Sequence, residues 1–273
     1  MEVAKVNHFS FFTGIGGLDM AAERAGFKTV GQCEFADYPT KILEKHWPDV
    51  PRWRDIRDVT ADAIRDRGIR QVDIISGGFP CQPHSLAGKR EASGDERDLW
   101  GELARVIYEI KPRWVVAENV RGLLSSEDGR FFGRVLNDLA RMGFNVGWGL
   151  YGADNVGALH QRKRIFIVAY SGGKPGTQPL LNRDGKEATK RHQEKEERRT
   201  DWQQFKVGTE VDTGISGGWG QLDKPRLVRV ASRTSERVDE IRGRLTVLGN
   251  MVVPQQAYPI FKAIMDIEQG VII

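Results

Sequence analysis

The sequence predicts an α/β protein built around a mostly parallel sheet. From residue 6 onward, short apolar runs of β-type residues alternate with longer segments that carry apolar residues at helical spacing. This alternation is typical of strand–helix–strand units, in which helices cover a parallel sheet. With 273 residues, the chain is long enough for one large core, or for one full domain with a smaller second lobe.

Six strands and five helices follow from these patterns. The strands are VNHFSFF (6–12), TVGQCE (29–34), VDIIS (72–76), WVVAE (114–118), NVGWGLY (145–151) and RIFIVAY (164–170). Four helices are LDMAAERAG (18–26), YPTKILEKHW (38–47), ERDLWGELARVIYEI (96–110) and FFGRVLNDLARMG (131–143). The fifth starts near Pro254, because proline suits the first turn of a helix.

The character of the chain changes after Tyr170. The following stretch is polar, rich in charge of both signs and almost free of apolar periodicity, and periodic order returns near Arg226. We therefore predict three parts, namely residues 1–170, 171–240 and 241–273.

The composition excludes several classes of protein. The 41 basic and 37 acidic residues give a formal charge of +4, a modest excess that favours an anionic partner. Because no long apolar run is present and the start MEVAKVNHFSFF lacks a signal-peptide pattern, we expect a cytoplasmic protein without a membrane partner. Two cysteines without metal-ligand spacing predict neither a disulfide framework nor a metal site.

A glycine loop follows the first strand. Gly14, Gly16 and Gly17 lead from this strand into a helix that begins around Leu18, and such a loop lets the backbone approach a nucleotide-like ligand. Glu34 ends the second strand, where a carboxylate could bind ribose hydroxyls, and Phe35 could stack on adenine. A tight structural turn beside a surface glutamate is the alternative, and the loop alone does not separate a dehydrogenase from a methyltransferase.

Cys81 follows the third predicted strand within Gly77-Gly78-Phe79-Pro80-Cys81. In open α/β sheets, ligands bind at this carboxyl edge. Glycines and prolines define the local path of the chain, so the thiol is presented as a nucleophile would be. Cys33, inside a strand, fits a buried structural cysteine.

Two further elements could act beside Cys81. Glu118 ends an apolar strand, where partial desolvation would raise its pKa and let it both donate and accept protons. Arg162 and Arg164 precede an apolar strand, and on extended backbone they would share one side and suit phosphate or a base carbonyl. The alternative for Glu118 is a helix cap or a surface ion pair. Lys163 is better explained as part of a generic basic run than as a specific ligand-binding residue.

In this order, the elements resemble the cytosine-5 DNA methyltransferase family. The matching segments are the glycine loop, Glu34-Phe35, Asp55-Ile56, Gly78-Phe79-Pro80-Cys81-Gln82, Glu118-Asn119-Val120, the arginine pair and Gly249-Asn250-Met251-Val252-Val253-Pro254. The resemblance covers about residues 6–170 and 245–266 and implies a Rossmann-like methyltransferase fold with a small target-recognition lobe. Residues 1–170 would then be the catalytic domain, 171–240 the recognition region, and 241–273 a segment that returns to the catalytic domain.

The resemblance also implies the chemistry. Cys81 would add to carbon 6 of a flipped-out cytosine, Glu118 would bind the ring nitrogen and amine, Arg162 and Arg164 would complete the catalytic set, and carbon 5 would receive the methyl group of S-adenosyl-L-methionine. DNA contacts are implied for Gln82, Ser85 and Arg162. The implied cofactor residues are Phe12, Gly14, Gly16, Gly17, Leu18, Glu34, Phe35, Asp55, Ile56, Pro80, Leu99, Asn250 and Val252.

Double-stranded DNA is the expected partner of a monomeric enzyme, and the resemblance leaves room for a cognate restriction endonuclease. The chain departs from the family pattern at His160, where glutamine is usual. The family motif that precedes Gly249–Pro254 is matched only weakly, and residues 226–240 are its one candidate. A transfer RNA cytosine methyltransferase is an alternative, but it usually carries a further cysteine that this chain lacks. A non-catalytic DNA-binding protein is another, but it would be expected to lose Cys81 or Glu118.

Overall fold

A seven-stranded sheet forms the centre of the protein. The structure is a computed structural model that describes residues 6–80, 99–172 and 251–271. The strands are β1 (Asn7–Phe11), β2 (Lys28–Cys33), β3 (Arg52–Trp53), β4 (Ile74–Gly77), β5 (Trp114–Val120), β6 (Asn145–Tyr151) and β7 (Arg164–Tyr170). Their order is β3-β2-β1-β4-β5-β7-β6, and β7 is the one strand of this sheet that runs opposite to the other six. The predicted mostly parallel α/β sheet is confirmed.

Helices cover both faces of this sheet. They are α1 (Gly17–Arg24), α2 (Asp37–His46), α3 (Ala61–Asp66), α4 (Trp100–Ile110), α5 (Arg130–Arg141) and α6 (Pro254–Glu268). Short 3-10 turns cover Ile56–Asp58 and Ala153–Val156, and Arg121–Gly129 contains helical turns interrupted by a kink at residues 126–128. None of the helices in the described ranges has the length and apolar character needed to cross a bilayer.

Two apolar cores lie on opposite faces of the sheet, because alternate residues of a strand point in opposite directions. In β5, Val115 and Ala117 join the core beneath α3, α4 and α5. Trp114 and Val116 join the core formed with α1 and α6. This alternation places α6 beside α1, on the same face of the sheet as Trp114.

Helix α6 is anchored to the sheet at its far end. The carboxylate of Glu268 accepts a hydrogen bond of 2.8 Å from Nε1 of Trp114 and forms an ion pair with Arg113. Buried Phe261 lies edge-on to Phe27, with ring centroids 5.7 Å apart. The C-terminal helix is therefore part of the core and holds the segment before it against α1.

All six predicted strands and all five predicted helices occur, with ends that differ by a few residues where both ends are described. Strand β3 and helix α3 were not predicted, because two and six residues are too short to show periodicity. The region 171–240 lies almost entirely outside the described residues, as do Cys81, Gln82, Ser85 and Asn250.

Candidate functional site

The glycine loop after β1 turns through left-handed backbone. Phe12, Gly14 and Gly16 have φ values of 51°, 57° and 88°, a region that glycine adopts without strain. The N–H of Gly16 donates to the carbonyl of Thr13 at 3.0 Å, and α1 begins at the next residue. A Cβ at Gly14 would meet no atom of the described residues within 4 Å, so this part of the chain leaves the space beside Gly14 open.

Gly16 and Gly17 are closely covered by two other segments. A Cβ at Gly16 would lie 2.4 Å from the ring of Trp47, and one at Gly17 would lie 2.4 Å from the carbonyl oxygen of Val252. Val252 belongs to the segment that leads into α6. The contact explains why a C-terminal residue lies beside the loop, and Trp47 is a neighbour that the sequence did not indicate.

Glu34 lies beside Gly14, and the next residue, Phe35, is exposed. One carboxylate oxygen of Glu34 accepts from the N–H of Gly14 at 2.7 Å, and the other accepts from that of Ala36 at 2.8 Å. Burial raises the pKa of Glu34, while these backbone donors act in the opposite direction. The ring of Phe35 is 73% exposed, as a surface that stacks on a ligand would be.

The other described members of the predicted cofactor set differ in what they present. Asp55 caps the 3-10 turn after β3 with its carboxylate. The side chains of Ile56 and Leu18 are buried in the two cores, so only their main chains can face a ligand. Pro80, directly before Cys81, and Leu99, directly before α4, are half-buried.

A buried polar cluster lies beneath the glycine loop. The carboxylate of Asp19 in α1 accepts hydrogen bonds from Ser10 at 2.8 Å and from the amide of Gln32 at 3.0 Å. Ser10 also contacts the hydroxyl of Thr13 at 2.9 Å, inside the loop. These bonds connect α1, β1 and β2, so the start of the loop is held from below.

The approach to Cys81 is held by a residue that the sequence did not single out. Phe79 is buried against Trp100, with ring centroids 5.1 Å apart. The side-chain amide of Asn119 donates to the carbonyl of Phe79 at 2.8 Å. Asn119 therefore connects the end of β5 to the backbone two residues before Cys81. Its position in the Glu-Asn-Val motif was the only signal available.

Glu118 and Arg164 meet in a buried position. In the β5–β7 ladder, Glu118 lies opposite Phe166 and Arg164 lies opposite Val120, so the two side chains are diagonal neighbours on one face. Nε of Arg164 is 2.9 Å from Oε1 of Glu118. The N–H is not aligned with that oxygen, which has no hydrogen-bond partner among the described residues.

The carboxyl group of Glu118 has a pKa that is raised above its ordinary value. Burial raises its pKa to about 7, against the opposing effect of the charges of Arg164 and Arg162. A Cβ at Gly78 would lie 3.2 Å from the second carboxyl oxygen, so glycine keeps the approach to this oxygen open. Near neutral pH such a group can both donate and accept a proton.

Arg162 reaches the same region by an unexpected route. Strand β7 begins only at Arg164, and Arg162 has a φ of 31°, so the prediction of extended backbone through Arg162 is wrong. Its guanidinium donates to the carbonyl of Met251 at 2.6 Å. The structure thus brings Glu118, Arg162 and Arg164 together, but contacts with the C-terminal segment orient Arg162.

Cys33 is the structural cysteine that its position predicted. It is buried at the end of β2, and burial raises the pKa of its thiol to about 12. Such a thiol stays protonated and unreactive near neutral pH. Within the described ranges, no cluster of His, Cys, Asp and Glu side chains is arranged to hold a metal ion.

Comparison with known proteins identifies the family. The family model described as C-5 cytosine-specific DNA methylase matches residues 6–218. The chain belongs to this family. Type II methyltransferase M.Sau96I of Staphylococcus aureus is 33% identical over 166 residues, which cover 59% of this chain and 38% of that protein. Type II methyltransferase M.BsuFI of Bacillus subtilis is 32% identical over 167 residues, covering 61% and 39%. The match thus spans about two fifths of each relative.

Solved structures share the fold. A protein described as a prophage-encoded DNA modification methyltransferase of E. coli superposes with a TM-score of 0.53 at 23% identity, covering 61% of this chain and 47% of that one. Spodoptera frugiperda DNMT2 gives a TM-score of 0.52 at 22% identity, covering 66% and 54%. The predicted Rossmann-like methyltransferase fold is confirmed.

Proposed function

We propose that this methylase-family chain transfers a methyl group from S-adenosyl-L-methionine to carbon 5 of a cytosine in double-stranded DNA. One observation carries the proposal: the buried carboxyl group of Glu118 lies beside Arg164 and next to Gly78, three residues before Cys81. The Type II methyltransferase names of the relatives support DNA as the substrate and a role in restriction–modification.

The proposed reaction begins at the base. The thiolate of Cys81 forms a bond to carbon 6, which places electron density on carbon 5. Glu118, whose pKa is raised by burial to about 7, donates a hydrogen bond to the ring nitrogen in its protonated form and accepts one from the exocyclic amine. Arg164 binds the base carbonyl, where negative charge develops.

The second half of the reaction restores the enzyme. When bound, S-adenosyl-L-methionine would supply an electrophilic methyl group to carbon 5, and its own bond to this methyl group would break to leave S-adenosyl-L-homocysteine. A base then removes the proton from carbon 5, the bond between sulfur and carbon 6 breaks, and Cys81 leaves as a thiolate. Because carbons 5 and 6 cannot be reached inside a duplex, the cytosine must be flipped out of the helix, with Gln82, Ser85 and Arg162 proposed to contact the DNA.

The residues around the glycine loop fit this cofactor. The space at Gly14 lies beside Glu34, whose carboxylate can accept from ribose hydroxyls, and the next residue, Phe35, has an exposed ring that can stack on adenine. To bind a ribose, Glu34 would exchange its bond with the Gly14 N–H for bonds with the sugar. Phe12, Gly16, Gly17 and Val252 would shape the loop, with Leu18, Asp55, Ile56, Pro80, Leu99 and Asn250 completing the set.

The test is transfer of label from radioactive S-adenosyl-L-methionine to duplex DNA, with transfer RNA as the competing substrate. A duplex that contains 5-fluorocytosine should trap a covalent complex, because fluorine cannot be removed as a proton is. The complex should disappear in Cys81→Ser and persist in the matched variant Cys33→Ala, whose thiol is buried.

Three results would refute the proposal. The first is wild-type protein that binds duplex DNA but leaves it unlabelled. The second is a trapped complex that survives Cys81→Ser, and the third is labelling of transfer RNA in preference to DNA. If DNA is labelled, bisulfite sequencing of DNA from an expressing host identifies the target sequence.

A further inference from the structure

The last described segment of the chain touches both halves of the proposed site. The carbonyl of Val252 lies over Gly17 in the glycine loop, and the carbonyl of Met251 accepts a hydrogen bond from Arg162. Cofactor and base would therefore be bound by parts of the protein that share one structural support. Glu268 anchors the far end of α6 to the sheet, and Gln256 fixes the end that lies next to this support.

Gln256 lies in the first turn of α6 and is 3% exposed. Its Nε2 atom donates to two main-chain carbonyls, those of Tyr151 and Arg162, at 3.0 Å each. Carbonyl oxygens can only accept, so these partners determine which end of the amide carries the nitrogen. The two carbonyls lie at the ends of the connection between β6 and β7, and Gln256 closes the base of that connection.

The backbone at Arg162 needs such support. A φ of 31° is unfavourable for a residue with a Cβ, and conformations of this kind persist only where the surroundings hold them. Gln256 holds the main-chain carbonyl of Arg162, and Met251 holds its guanidinium. Residues 251–256 thus hold both the main chain and the side chain of Arg162.

We infer that Gln256 is a positioning residue for base binding, which acts by holding Arg162 in its unfavourable backbone conformation. The inference rests on the proposed function for its catalytic consequence. It also predicts that the connection 152–163 and the segment 251–254 move as one unit, because the same hydrogen bonds join them.

The test compares Gln256→Met, which keeps the length of the side chain but removes both donors, with the neighbouring control Gln255→Met. Hydrogen exchange of peptides covering 152–164 should be about fivefold or more faster in Gln256→Met and unchanged in the control. The kcat for DNA methylation should fall about tenfold or more, with a smaller change in the KM for S-adenosyl-L-methionine.

A double-mutant cycle separates positioning from a general loss of stability. Because Gln256 acts through Arg162, adding Gln256→Met to Arg162→Ala should lower kcat by less than about twofold further. Additive losses, or exchange rates and kcat equal to those of Gln255→Met, would overturn the inference. If Gln256→Met does not fold, Gln256→Asn, which keeps the amide on a shorter arm, replaces it in the same comparison.

The two proposals fail in different ways. Wild-type protein that leaves DNA unmethylated refutes the proposed function. Faster exchange at 152–164 in Gln256→Met would in that case still support the structural coupling, because this measurement needs no activity.

Discussion

Arg164 and Glu118 form a buried ion pair across two antiparallel strands, with side chains that are 16% and 9% exposed and atoms 2.9 Å apart. A carboxyl group in such a place feels two opposing effects. Removal from water favours its neutral form, and the guanidinium favours its charged form. Burial has the larger effect, so the pKa of Glu118 is raised to about 7.

This raised pKa predicts a pH-dependent stability. A carboxyl group that holds its proton more tightly in the folded state contributes stability that is fully present below about pH 4.5 and is lost as the pH rises to about 7. For Glu118 we expect a loss on the order of 3 kcal/mol. Glu118→Gln cannot titrate, so its free energy of unfolding, measured with urea, should depend less on pH over this range. The exposed control Glu44→Gln should keep the wild-type profile, and an unchanged profile in Glu118→Gln would contradict the assignment.

Removal of Arg164 should move the same transition. Without the guanidinium, the pKa of Glu118 rises further, and in Arg164→Met the pH-dependent loss of stability should extend above pH 7. Methylation should fall about 100-fold, because a donor to the developing charge is lost. Lys163→Met, at the exposed neighbouring position, should retain the wild-type kcat and pH profile. Equal effects of the two substitutions would show that the ion pair has no special role.

The contact between Gly17 and Val252 predicts a steric effect. In Gly17→Ala the new methyl group would lie 2.4 Å from the carbonyl oxygen of Val252. Residues 251–254, which we call the closing segment, must therefore shift. We expect a loss of about 1–3 kcal/mol in unfolding free energy. Calorimetry should also show weaker binding of S-adenosyl-L-methionine.

Gly133 is the matched control for that substitution. It is exposed within α5, and a Cβ there meets no atom of the residues that the structure describes within 4 Å. Gly133→Ala should therefore raise stability by up to about 1 kcal/mol. If Gly17→Ala binds the cofactor as tightly as Gly133→Ala does, the closing segment does not contribute to the cofactor site.

Asn119 should affect catalysis through the backbone before Cys81. Asn119→Ala leaves the buried carbonyl of Phe79 without its donor, which costs about 1–3 kcal/mol of stability. It should also lower kcat more than it weakens cofactor binding, because the glycine loop is untouched. Formation of the 5-fluorocytosine complex measures this effect directly. A normal rate of complex formation in a folded variant would exclude a positioning role for Asn119.

Local patterns were sufficient to predict much of this architecture. The apolar runs at 114–118 and 164–170 lie in adjacent strands, and the glycines after β1 form a tight turn in left-handed backbone. The buried state of Cys33 also followed from its place inside a strand. These features depend on neighbours in the sequence, where periodicity and glycine geometry act directly.

Other features depend on residues that are distant in sequence, and only the tertiary structure could reveal them. Strand β3 has two residues and exists because β2 offers it an edge. The backbone at Arg162 is not extended, because contacts from α6 hold it otherwise. Gln256 and Trp47 have no local signal, since their importance lies in the segments they touch.

Glu118 illustrates both what the sequence predicts and what only the tertiary structure decides. The sequence by itself predicted that this carboxyl group ends an apolar strand, whereas β5 continues for two more residues to Val120, and the motif around it indicated a catalytic role. Only the tertiary structure decided which cation faces it and how strongly burial acts, because desolvation and Coulomb interactions depend on distances between segments that folding brings together.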